Sequence, residues 1–186
     1  MIRKLMIAAI ACGLAVSTSF GAAKPLAITS WLKPGNFMME VGAHYSYFGF
    51  GVGGGVEFVF AEWRIADVVP LQFGITARGY ADFVPWWAWG SSFGVGGLAT
   101  VHFSIKSLKL GITFVDNLDF YIGLGVGFNI VPGWNTTYLW YWNPTGIGFW
   151  SSDGVNYFIT ENLAIFAEYN YYGGNSGGSL GLLLKI

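Results

Sequence analysis

Apolar side chains recur at every second position in several separate stretches of this chain. From Leu71 to Phe83, apolar or small residues alternate with Gln, Thr, Arg, Tyr and Asp. The same alternation runs through Met39–Tyr47, Phe120–Ile130 and Leu163–Tyr171. Because successive side chains of a β-strand point to opposite faces, this period predicts strands with one apolar face and one small or polar face. The chain is therefore predicted to be all-β.

The composition indicates what the apolar faces contact. Charged residues make up 10% of the chain, against about 25% in a typical soluble domain. The polar face of a soluble sandwich would carry many Lys and Glu, whereas here it carries much of the chain's Gly, which numbers 28. After residue 23, no stretch offers the roughly 20 uninterrupted apolar residues of a membrane helix. A membrane barrel instead turns its apolar face to lipid and pairs every backbone group by closing the sheet.

The predicted fold is an all-β, eight-stranded, antiparallel up-and-down transmembrane β-barrel. The strands are predicted at 38–48, 51–62, 71–83, 91–104, 120–130, 154–160, 163–172 and 179–186, with short connections facing the periplasm. A ten-strand count is the alternative, because Leu108–Val115 has the composition of a further strand. A soluble lipocalin-like or sandwich protein of the periplasm is a third interpretation. Nucleic-acid binding is excluded, since no basic stripe is present.

The first 23 residues have the layout of a cleavable signal peptide. Arg3 and Lys4 precede an apolar run from Leu5 to Val16, and small residues end at Ala23. A run this short favours cleavage over a retained membrane anchor. Residues 24–186 are then predicted to form a single barrel domain. The chain's one cysteine, Cys12, lies in the segment removed, so no disulfide or thiol chemistry is expected.

Two segments of the second half carry a resemblance to a known family. Phe120–Phe128 and Gly154–Tyr169 resemble strands and a turn of the small eight-stranded outer-membrane barrels of the OmpA-like and opacity-protein type. The resemblance implies an outer-membrane location, with outer-membrane lipid and the barrel-assembly machinery as partners. It implies no particular activity, because that family includes adhesins, structural proteins and narrow channels. The expected role is structural or in surface interaction, without catalysis, cofactor or metal.

The inward face is predicted to hold a polar network. Its members are Glu40, Glu57, Arg78, His102 and Glu168, with His44 on the same face. Charges in a narrow lumen must be paired, so we expect Arg78 to pair with one or two of the glutamates. Many inward positions are glycine, which favours a narrow conduit or ligand pocket as the alternative function. These glycines are Gly42, Gly74, Gly94, Gly96, Gly123, Gly125, Gly127 and Gly181.

A second alternative is enzymatic. His44 and Ser46 form a His-x-Ser pair, and Glu57 follows on the next predicted strand. Barrel lipid A deacylases carry a similar pair with a later glutamate, and the resemblance implies base, nucleophile and orienting roles for these residues. The competing interpretation is that period-two alternation places two polar lumen residues side by side without any catalytic role.

Tryptophan is concentrated in two predicted outward loops. The candidates for contact with a surface ligand or host component are Trp86, Trp87, Trp89, Trp140 and Trp142. The second loop is predicted to run from Val131 to Asp153, and so to include Phe149 and Trp150. The competing interpretation is an aromatic belt at the membrane–water boundary, where Trp and Tyr concentrate.

Overall fold

A computed structural model describes residues 30–46, 49–65, 69–84, 90–130, 145–172 and 175–186. The predicted signal peptide lies outside these described residues. So do the five loop tryptophans proposed as contact residues.

The described residues form one closed antiparallel sheet. Its strands are β1 (Phe37–Ser46), β2 (Gly49–Ile65), β3 (Val69–Val84), β4 (Gly90–Ser104), β5 (Leu118–Ile130), β6 (Gly146–Phe158), β7 (Leu163–Tyr172) and β8 (Asn175–Lys185). Each strand pairs with the next along the chain, and β1 pairs with β8. The strands have between 10 and 17 residues, and about 9–11 residues cross a bilayer in a tilted strand. The predicted eight-stranded up-and-down barrel is confirmed.

The connection between β4 and β5 is not a strand. Ile105–Leu108 forms a 3₁₀ turn, and Thr113–Asp116 forms one turn of α-helix, named α1 here. Lys109 has φ 49° and Gly111 has φ 72°, values in the left-handed region that an extended strand does not use. The ten-strand alternative, which needed a strand over Leu108–Val115, is therefore wrong.

Strand β6 begins at Gly146, eight residues before its predicted start at 154. The early half continues the ladder against β5, with Trp150 opposite Gly125 and Ser152 opposite Gly123. Phe149 and Trp150 consequently belong to the barrel wall and not to the loop, which corrects the predicted span of 131–153. Phe149 is exposed, whereas Trp150 points inward and is fully buried.

No helix among the described residues is both long and apolar enough to cross a membrane.

The two faces of the sheet divide as the alternation predicts. Large apolar side chains are exposed along the outside of every strand, among them Val41, Val52, Ile75, Val95, Ile122, Phe149, Ile165 and Leu180. Their inward neighbours are buried and mostly polar, such as Gln72, Thr100 and Asn170. Apolar side chains outside and polar side chains inside are the reverse of the distribution in a soluble domain.

The chain before β1 closes one end of the barrel. Leu32 is fully buried with Met38, Val59, Phe158 and Leu183, and the Trp31 ring stacks on Phe158 at 4.7 Å. Trp31 Nε1 also donates a hydrogen bond of 2.8 Å to the Asp116 carbonyl oxygen. This "terminal end" carries residues 30–36 and Ile186, together with the connections 105–117 and 159–162. The opposite end, where β1, β3, β5 and β7 finish, is called the loop end.

Two adjacent glycines of β4 offer a matched test of the interior packing. A methyl group on Gly96 would lie 2.5 Å from Trp150 Cε3, whereas one on outward Gly97 would have no neighbour closer than 3.8 Å. We expect Gly96→Ala to destabilise the barrel by about 1–3 kcal/mol through overpacking, and Gly97→Ala to have little effect. Urea unfolding from lipid vesicles measures both changes. Equal midpoints for the two variants would contradict the packing described for Trp150.

Candidate functional site

Arg78 lies at the centre of the barrel interior. Its guanidinium contacts carboxylates from two other strands: Glu40 Oε1 of β1 lies 2.9 Å from Arg78 Nε, and Glu168 Oε2 of β7 contacts Nη1. Arg78 Nη1 also donates to Ser152 Oγ of β6 at 2.7 Å. All these side chains are nearly excluded from solvent. The predicted pairing of Arg78 therefore takes in two of the three glutamates.

Glu168 receives further hydrogen bonds that hold its carboxylate in place. Tyr121 Oη and Ser152 Oγ donate to Oε2 at 2.7 and 3.0 Å, and Asn170 Nδ2 donates to Oε1 at 2.9 Å. The Arg78 guanidinium lies 5.2 Å from the centre of the Tyr121 ring. Since these groups come from β3, β5, β6 and β7, the network crosses the lumen from wall to wall. A buried charge with this many partners is well compensated.

A second ionic group surrounds His102, nearer the terminal end. His102 Nε2 lies 2.8 Å from Glu57 Oε1, and Nδ1 lies 2.9 Å from Asp119 Oδ2. Both ring nitrogens face carboxylates, so we assign hydrogen to each and a positive charge to the ring. Thr100 donates to Glu57, and Ser104 donates to Asp119 at 2.6 Å.

Asp119 is the one charged member of the His102 group that the sequence analysis missed. It was placed at the end of a connection, but β5 begins at Leu118 and turns its side chain inward. An aspartate that precedes an alternating apolar stretch was the available indication. The other predicted network residues, Glu40, Glu57, Arg78, His102 and Glu168, all lie inside the barrel. They divide between the Arg78 group and the His102 group.

Aromatic rings fill the lumen on the loop side of Arg78. The rings of Tyr80, Trp150 and Tyr172 lie within 4.3 to 6.2 Å of one another, and His44 stacks on Tyr80 at 4.8 Å. Gly96 and Gly127 provide the space that Trp150 occupies. The expectation that inward glycines leave open volume is therefore wrong at these positions. It is also wrong at Gly94, where the Tyr80 ring takes the space, and at Gly74, where the Glu57 carboxylate does.

A small polar group lies at the loop end, next to the aromatic rings. His44 Nδ1 is 3.0 Å from Ser179 Oγ, and Ser46 Oγ donates to Asp82 Oδ2 at 2.7 Å. His44 Nε2 lies 3.7 Å from the same Asp82 oxygen. Among the described atoms, His44 Nε2, Asp82 Oδ1 and Ser92 Oγ are buried without a hydrogen-bond partner. Such groups are costly to bury, and three of the nine described atoms of this kind lie close together here, since Ser92 pairs with Asp82 across β3 and β4.

The structure does not bring His44, Ser46 and Glu57 together. Glu57 lies opposite Met38 in the β1–β2 register, whereas His44 lies opposite Gly51. Those positions are six residues apart along β1, or about 20 Å at the rise of a strand. Glu57 is bound to His102 instead, and Ser46 donates to Asp82. The geometry thus contains no Ser–His–Glu relay from these residues.

Comparison with known proteins gives a fold. No protein-family model and no curated protein matches this sequence. The N-terminal β-barrel domain of Pseudomonas aeruginosa OprF is similar in structure, with 15% identity, coverage of 82% of this chain and 98% of that one, and a TM-score of 0.53. A de novo designed transmembrane β-barrel is 18% identical in sequence and has a TM-score of 0.52. The match covers 85% of this chain and 100% of the designed one. This chain has the fold of the small eight-stranded outer-membrane barrels. Ail of Yersinia pestis is also similar, at 11% identity, coverage of 83% and 100% and a TM-score of 0.48. Identities this low concern the fold alone.

The Arg78 network can be tested by removing its only cation. We expect Arg78→Met to lower the free energy of unfolding by about 3–5 kcal/mol, because Glu40 and Glu168 are left buried without a cationic partner. The triple variant R78M/E40Q/E168Q should recover much of that loss. Arg64→Ala serves as the control: its pair with Glu62 is exposed, and its loss should cost less than about 1 kcal/mol. A mild effect of R78M equal to that of R64A would contradict the network, with urea midpoints as the measurement.

Proposed function

We propose that this chain is an outer-membrane barrel with a closed, non-conducting interior and a structural or surface-interaction role. The observation that carries the proposal is the filling of the lumen at successive levels. Trp31 and Leu32 occupy the terminal end, the Arg78 network crosses the middle, and the Tyr80–Trp150–Tyr172 rings lie towards the loops. Eight-stranded barrels are just wide enough for side chains to fill the interior.

The outside of the barrel supports a membrane location. Its exposed apolar side chains would be a severe liability in water, but they match the hydrocarbon of a bilayer. Export through residues 1–23 and folding by the barrel-assembly machinery follow from that location and remain part of the proposal. Binding of a surface ligand or host component would fall to the loops that carry Trp86, Trp87, Trp89, Trp140 and Trp142. No catalysis is proposed.

Single-channel recording distinguishes a closed core from a narrow conduit. We expect the folded protein in a planar bilayer to give no resolved current steps, because ions would have to displace both the network and the aromatic rings. The variant R78A/Y80A/W150A, checked for folding by its heat-dependent gel mobility, shows whether emptying those levels admits current. Steps in the unmodified protein that change when Arg78 is replaced would support the conduit and contradict the closed core.

A ligand pocket at the loop end is the second candidate function. The observation that favours it is the group of unpartnered buried atoms on His44, Asp82 and Ser92. Asp82 supplies a carboxylate without a Lys or Arg partner among the described contacts, so a small cationic hydrogen-bond donor is the matching ligand. Gly53 adds room beside His44 and Tyr80, since a methyl group there would make only ordinary contacts of 3.5 to 3.7 Å.

The two histidines of the chain allow this pocket to be tested within one molecule. Methylammonium would be titrated into the folded protein while the imidazole resonances are followed by NMR. We expect the His44 resonance to shift saturably, the His102 resonance to stay unchanged, and Asp82→Asn to abolish the shift. The pocket is ruled out for such cations if His44 does not respond, or if both histidines respond alike.

A further inference from the structure

The connection between β4 and β5, residues 105–117, exposes an apolar row that the barrel does not need. Its exposed side chains are Leu108, Leu110, Ile112 and Phe114, with exposed fractions from 41 to 65%. A turn in water normally carries polar residues, and four large apolar side chains within seven residues make a surface that favours burial. Throughout this subsection these 13 residues are called the rim segment.

Phe114 of the rim segment packs against the outside of the wall. The Phe114 ring lies 5.3 Å from the Tyr157 ring, and Tyr157 precedes the inward-facing, fully buried Phe158 on β6. Tyr157 therefore belongs to the outward face, and Phe114 covers it from outside. Phe120, the nearby outward residue of β5, is also exposed. The apolar row thus continues the apolar exterior of the barrel at its terminal end.

The backbone is fixed where this row begins. Lys109 adopts φ 49° and Gly111 adopts φ 72°, so the chain turns at these residues and does not continue as an extended strand. Lys109 N–H donates to the Lys106 carbonyl oxygen at 3.2 Å, and Asp116 N–H donates to the Ile112 carbonyl oxygen at 2.9 Å. A non-glycine residue in the left-handed region is uncommon and is maintained only where its surroundings require it.

Lysines accompany the apolar row. Lys106 Nζ lies 3.5 Å from the centre of the Trp31 ring, and Lys185 Nζ donates to the Trp31 carbonyl oxygen at 2.8 Å. Lys109 and Lys33 are exposed at the same end. Of the described acidic residues at the surface of this end, Glu62 is paired with Arg64, which leaves Asp116 and Glu161 against four lysines. Lysines beside exposed apolar residues suit a membrane surface with anionic headgroups.

We propose that the rim segment is an interfacial lipid-binding element. Leu108, Leu110, Ile112 and Phe114 enter the leaflet at the terminal end, while Lys106 and Lys109 lie at the level of anionic phospholipid headgroups. This inference rests on the proposed membrane function and adds a lipid class to it. The contact would hold the barrel at one depth, because the apolar row and these lysines lie within the same short connection.

Cysteine accessibility tests the rim segment and the membrane location separately. Residues 24–186 contain no cysteine, so Leu110→Cys, Ile122→Cys and Glu161→Cys each introduce a single thiol. Each variant would be folded, placed one per lipid nanodisc containing an anionic phospholipid, and treated with a water-soluble maleimide. Nanodiscs leave both faces open to reagent, and one barrel per disc excludes protection by a second copy.

We expect E161C to react quickly and I122C, in mid-wall, to be protected. L110C should react at least about tenfold more slowly than E161C. Replacing the anionic lipid with a zwitterionic one, or adding K106Q/K109Q, should raise the L110C rate several-fold. If L110C reacts as fast as E161C while I122C stays protected, the rim inference is overturned and the membrane barrel stands. If I122C also reacts quickly, the membrane function itself is overturned. Protection of L110C that is indifferent to lipid charge and to both lysines would overturn the headgroup assignment.

Discussion

The pairing of β1 with β8 is the contact on which the rest of the barrel depends. A sheet in hydrocarbon cannot leave an edge unpaired, since each free N–H or C=O would cost several kcal/mol. Closure joins residues from opposite ends of the chain, such as Met38 with Lys185 and Ser46 with Gly177. With eight strands it also sets a narrow lumen, so the inward side chains must fit one another in size and charge.

The interior meets that requirement in two ways. Charges are grouped so that each cation touches more than one carboxylate, as Arg78 touches Glu40 and Glu168, and His102 touches Glu57 and Asp119. Large rings are placed over glycines of neighbouring strands, as Trp150 is over Gly96 and Gly127. The inward glycines, which favoured a channel in the sequence analysis, thus make room for closely packed rings at these positions. The loop end, where His44 and Asp82 keep unpartnered atoms, departs from this pattern.

The sequence was sufficient for the barrel and for Glu40, Glu57, Arg78, His102 and Glu168 of the interior, because period two assigns a face to every strand residue; Asp119 was missed because it was placed in a connection. It was insufficient where that period is broken or concealed. Residues 146–153 are rich in glycine and serine, so their alternation is weak, and only the ladder against β5 reveals the strand. The rim segment has an apolar composition that suits a strand, yet the left-handed backbone at Lys109 and Gly111 ends any ladder. Which carboxylate binds which cation depends on register, and a one-residue shift in pairing would have turned a strand's inward carboxylate to the outer face.

The segment Ser30–Asn36 has a consequence for the order of assembly. Ser30 Oγ donates to Ser104 Oγ at 2.9 Å, Trp31 receives the Lys185 ammonium on its carbonyl oxygen, and Gly35 N–H donates to the Val59 carbonyl oxygen at 2.7 Å. These partners come from the beginning, middle and last strand of the chain. Ser30–Asn36 precedes every strand in the chain, yet its full set of contacts can form only after the last strand is in place. A fully docked Ser30–Asn36 segment therefore marks a barrel in which the last strand is already paired.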